Sequence, residues 1–142
     1  MSVTSFATFE SAFPDDSVEE GGDVVVQGGQ NILRAIYDSF AGRGYKVSNF
    51  EPHSHYGWSF DLRGKEGSFW FLVQYPDPWL LSVHDARMIW SRLLGGKAKF
   101  AALIDQCREC LASIPQLSSV KWISHEEYVA EFHHRKPQNK SD

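Results

Sequence analysis

YGWSFDLRGKEGSFWFLVQYPDPWLLSVH, residues 56–84, decides the fold. Tyr56, Trp58, Phe60 and Leu62 alternate with Gly57, Ser59 and Asp61, which is the period of a strand with one buried and one wetter face. RGKEG (63–67) reads as a hairpin connection. Ser68–Tyr75 is apolar on both faces over much of its length, so it reads as the central strand. Pro76 and Pro78 end it, because proline has no ladder donor, and Trp79–His84 resumes as a further strand. Strands joined by turns, without crossover helices, predict an antiparallel sheet.

Upstream of this centre, Leu33, Ile36, Tyr37 and Phe40 form one apolar stripe, so a helix is predicted over 31–42 with Asn31 as its N-cap and Gly42 and Gly44 as its stop. A short strand over 45–50 follows, and EPHSH (51–55) reads as a loop or bend. Downstream, Asp85 is a predicted N-cap for a helix over 86–94. A cleaner helix over 97–113 carries Phe100, Leu103, Ile104, Cys107 and Leu111 at helical spacing. Ser119–Ile123 reads as a strand, and Ser124 with Glu127 forms a capping box for a helix over 125–134. The expected class is α+β: a mostly antiparallel sheet of four or five strands with helices on at least one face.

The chain divides by composition into an acidic, glycine-containing leader (1–29), one α+β domain (30–134) and a polar tail (135–142). Apolar residues make up 42% of the 142, enough for a real core. The formal net charge is −4, with 18 acids and 14 Lys and Arg. Six of the acids (Glu10, Asp15, Asp16, Glu19, Glu20, Asp23) precede the first Lys or Arg, Arg34. This acidic start argues against a nucleic-acid backbone as the main partner. Residues 1–23 of the leader read as a loose, partly ordered segment, or as a short amphipathic helix because Phe6, Phe9 and Phe13 recur at helical spacing, while Val24–Val26 between glycine pairs suits a short strand over 24–27. No signal-peptide pattern and no apolar run of membrane-spanning length is visible, so cytoplasmic residence is the default.

Candidate chemistry is sparse. Cys107 and Cys110 have CxxC spacing but lie inside an amphipathic helix without a second pair, so they read as core thiols, with no metal and no cofactor expected. His53, His55, His84 and Asp85 supply an imidazole–carboxylate set for an enzyme of undefined reaction, but no self-supporting motif joins them. The five tryptophans suit a core, with one aromatic set left over for a groove or partner surface.

The layout of a cap-forming helix, YGWSFDLRGKEGSFWFLVQY, a second helical region and VKWISHEEY, over residues 31–132, resembles small cytoplasmic immunity proteins of bacterial polymorphic-toxin and secreted-effector systems. The resemblance implies a non-catalytic protein that binds a cognate toxin and blocks it. The partner-binding residues expected are Asp15, Asp16, Glu19, Glu20 and Asp23, then His53, His55 and Tyr56. A secretion or assembly chaperone is the other non-enzymatic reading. A homodimer through an exposed strand edge stays open.

Overall fold

The computed structural model describes residues 4–53, 57–74, 78–85 and 96–132. The architecture is α+β, built on a six-stranded antiparallel sheet and a separate two-stranded hairpin. The large sheet comprises β1 (Thr4–Ser11), β4 (Lys46–His53), β5 (Gly57–Gly64), β6 (Gly67–Gln74), β7 (Trp79–Asp85) and β8 (Leu117–Ile123). Its order is β4-β5-β6-β7-β1-β8. The hairpin pairs β2 (Val18–Glu20) with β3 (Asp23–Val26). Among the described residues the helices are α1 (Gln30–Gly42), α2 (Lys97–Ser113) and α3 (His125–Phe132).

The central register is the one the alternation demands. Trp58 faces Val73, Phe60 faces Phe71 and Leu62 faces Phe69, so these six side chains lie on one side of the sheet. Val83 and Leu81 of β7 continue those rows. On this face α1 contributes Ile32, Leu33, Ile36 and Phe40, while α2 contributes Phe100, Leu103, Ile104, Cys107, Cys110 and Leu111. The aromatic centre is close-packed. Phe71 stacks on Phe60 with centroids 4.8 Å apart and meets Phe40 edge-on at 5.4 Å, both favourable geometries for ring quadrupoles.

The opposite face is not simply wet. Ser59, Leu72 and Ser82 form one cross-strand row, and all three are buried. At its β1–β8 end α3 closes a second cluster of Phe6, Leu80 and Ile123. Tyr128 lies flat on Phe6 there, with centroids 4.1 Å apart.

Local sequence sets two of the helix ends, and a distant residue sets a third. Ser124 N–H donates to Glu127 Oε1 at 2.9 Å, and Glu127 N–H donates to Ser124 Oγ at 3.1 Å, the reciprocal capping box read from sequence. At the end of α1, Gly44 N–H bonds the Ala41 carbonyl and Tyr45 N–H bonds the Phe40 carbonyl. Gly44 has φ 91°, and Tyr45 packs edge-on against Phe40 at 5.1 Å. This is a Schellman stop with its apolar contact. The start of α1 differs from expectation. Asn31 lies inside the helix, and Gly29 takes the N-cap position with no capping side chain. Asp16 reaches in instead: its Oδ1 accepts Gly29 N–H at 2.8 Å and its Oδ2 accepts Asn31 N–H at 2.7 Å.

The largest correction concerns the leader. Residues 4–11 are neither loose nor helical but form β1, inserted between β7 and β8. Ala7 and Phe9 face the α1–α2 core, while Phe6 faces the α3 cluster. A strand buried on both faces carries apolar groups without strict alternation, and here their spacing imitates a helix. β1 thus packs in the same sheet and core as strands from residues 46–123. EPHSH is also partly strand, since β4 continues through His53 after a bulge between Ser48 and Glu51. The predicted helix over 86–94, Trp90 and residues 133–142 lie outside the described residues.

Candidate functional site

Glu10 lies on β1, and the other five acids of the leader fall into two groups with different surroundings. Asp15 and Asp16 stand at the base of the β2–β3 hairpin and are engaged internally. Asp15 Oδ1 accepts the Ser17 N–H at 3.0 Å, and that backbone bond holds its carboxyl below the usual range. Asp16 is the α1 cap. Glu19, Glu20 and Asp23 sit at the hairpin tip around Gly21 and Gly22, whose positive φ values of 60° and 89° permit the tight turn. All three are exposed. Their carboxylates make no hydrogen bond or ion pair with any described residue. Beside them Val18, Val24 and Val25 are 43–49% exposed, the most exposed large apolar side chains among the described residues.

The hairpin is anchored where it leaves the body. Trp58 Nε1 donates to the Gln27 carbonyl at 2.8 Å, and Gly29 lies against the Trp79 ring and Val73. Trp58 is paired with Pro52 on β4, one position from the His53–Gly57 pair. The acidic hairpin and the His53 end of β4 thus rise from one corner of the sheet. His55 and Tyr56 lie outside the described residues.

The histidine–aspartate set does not assemble around the described backbone. His53 shares a row with Gly57, Gln74 and Leu80, whereas His84 lies four residues farther along β7. Strand rise and spacing put the two backbones about 20 Å apart. His84 and Asp85 are successive strand residues and point to opposite faces. His84 Nδ1 is 2.8 Å from Thr4 Oγ1 and its ring lies 5.6 Å from Trp70. Burial pushes the imidazole below its ordinary value. Asp85 is buried on the core side, opposite Phe69. Among the described residues no group of three His, Cys, Asp or Glu side chains is placed to hold a metal ion.

Cys107 and Cys110 are free thiols buried against the core. Nearby, Glu66 is buried, its Oε2 accepts the Tyr45 hydroxyl at 2.9 Å, and its Oε1 has no hydrogen-bond partner among the described residues. Burial pushes the Cys107 thiol well above its ordinary 9.0. Burial, then the bond to Glu66, pushes the Tyr45 phenol above its ordinary 10.0. Both folded-state values are raised, so the fold holds protons that the unfolded chain releases first. Their contribution to stability is complete below about pH 9 and is lost as pH rises further. Urea midpoints measured from about pH 8 to about pH 11 should fall, and Tyr45→Phe should flatten the fall above about pH 10. A midpoint independent of pH across that range would contradict the assignment.

The described surface has a second distinctive region, at the other end of the β4–β5 edge. A groove of about 470 Å³ is lined there by Lys46, Ser48, Asn49, Asp61, Arg63 and Ser68, among others. Sequence reading did not single it out, because the lysine and arginine stand singly in the chain and meet only through strand pairing.

No protein-family model matches this chain, and no curated protein sequence matches it. Among the described residues no helix is long and apolar enough to cross a membrane.

Proposed function

We propose that this chain is a non-catalytic inhibitor of the immunity-protein kind, acting in the cytoplasm, which binds a cognate toxin or effector and blocks it. The observation that carries the reading is the β2–β3 hairpin. It combines three exposed carboxylates, which pair with no described residue, with exposed valines on an arm anchored by Trp58 and Asp16. Such an arm presents negative charge before contact and needs little ordering on contact, which limits the entropic cost of binding. A basic substrate cleft, as in a nuclease, is the complementary surface. Charge of this kind accelerates encounter more than it adds affinity. The end of β4, whose backbone reaches the same corner at His53, extends the proposed surface beyond the hairpin.

The division among the acids sharpens the test. The tagged chain is used to capture its partner from the native host, and association is then followed with the captured protein. One stoichiometric partner with a toxic activity that the chain suppresses is the expected result. Reversing Glu19, Glu20 and Asp23 to lysine should slow association by about tenfold or more at low salt, with unchanged thermal stability. Asp16→Ala should instead cost about 1–2 kcal/mol of stability through the lost cap. An association rate indifferent to the triple reversal would remove the hairpin from the interface.

A further inference from the structure

From the groove at the far end of β4, β5 and β6 we infer a binding site for a phosphorylated sugar or polyol, separate from the proposed toxin-binding corner. Lys46 and Arg63 are directly opposed across β4 and β5. Like charges at such positions repel and weaken the sheet. Neither side chain forms an ion pair with any described residue, so an anion seated between them relieves the repulsion. Ser68 lies opposite Arg63 on β6 and extends the row to cation, cation, hydroxyl. Guanidinium and ammonium groups beside a hydroxyl are the donors a phosphate monoester takes.

The next row of the same face carries Ser48 and Asp61. Asp61 would repel a phosphate placed upon it, so it selects what lies beside the phosphate. Asn49 donates Nδ2 to Asp61 Oδ2 at 2.6 Å, which orients the carboxylate and leaves Oδ1 without a partner among the described residues. Asn49 is held at φ 55° within the β4 bulge, a conformation that asparagine tolerates better than most residues. Oδ1 is therefore an acceptor for a ligand hydroxyl. The rows of Arg63 and Asp61 are about 7 Å apart, the reach from a phosphate to a hydroxyl a few carbons away. Lys65, in the adjoining turn, lines a neighbouring groove of about 270 Å³ with Arg43 and adds positive potential at the phosphate end.

Titration calorimetry with ribose 5-phosphate, inorganic phosphate and ribose tests the assignment. Ribose 5-phosphate should bind more tightly than either fragment. Arg63→Gln should weaken both phosphate-bearing probes by about tenfold or more. Asp61→Asn should weaken ribose 5-phosphate while leaving inorganic phosphate unchanged or tighter. Lys46→Gln, on the exposed edge strand, should weaken both phosphate probes while the melting temperature holds or rises with the repulsion removed, which separates lost binding from lost folding. No saturable binding, equal affinity for ribose 5-phosphate and inorganic phosphate, or affinity indifferent to Lys46→Gln and Arg63→Gln would overturn the proposal.

Discussion

Phe71→Ala should destabilise the fold by about 3–5 kcal/mol, the range for removing a fully buried phenylalanine. Phe71 has no exposed surface and sits where the sheet and α1 meet, stacked on Phe60 and edge-on to Phe40. Its neighbours belong to β5, β7 and α1, so collapse around the cavity would have to shift three elements together. Backbone hydrogen bonding on both sides of β6 resists that shift. Phe71→Leu keeps most of the volume and should cost less than half as much. Urea unfolding of the two variants checks the pair. A Phe71→Ala cost near 1 kcal/mol would mean that the core relaxes far more readily than a close-packed interior does.

Gly57→Ala should be comparably severe, at about 3 kcal/mol or more, for a reason unrelated to cavities. Gly57 has φ 150°, and a Cβ there would run into the carbonyl oxygen of Val73. That oxygen belongs to the neighbouring strand, so no rotamer change relieves the overlap, and the β5–β6 ladder must open at its first pair. Gly42→Ala provides the contrast. Gly42 lies in α1 with open space where a Cβ would go, and alanine there should raise stability by up to about 1 kcal/mol through helix propensity. Equal thermal midpoints for Gly57→Ala and the parent would disprove the steric account.

Local signals were enough for several elements. The alternation in Tyr56–Leu62 and the two-sided apolar run in Ser68–Tyr75 specify a hairpin, because side-chain period and turn chemistry are written within a dozen residues. Ser124 and Glu127 specify the start of α3 in the same way, and Gly44 the end of α1. Cys107 and Cys110 were legible as core thiols, since helical periodicity already placed Cys107 on the buried stripe.

The remainder was decided by partners far away in the chain. Phe6, Phe9 and Phe13 have helical spacing, yet β1 is a strand because β7 and β8 supply its ladder on both sides. Burial on two faces then removes the alternation that would have announced it. Asp16 caps a helix whose N-cap position, Gly29, lies 13 residues later, so the cap is not legible from adjacent residues, and its acid reads as surface charge. Whether a carboxylate is bonded internally or left exposed is a matter of which amides the fold brings to it. The same holds for Lys46 and Arg63, isolated in sequence and adjacent only through register. By itself, then, the sequence determined the fold class, the central hairpin and two helix ends, whose energetics are local. Tertiary structure alone decided the inner strand, the division among the acids and the opposed cations, because each depends on contacts between segments distant along the chain.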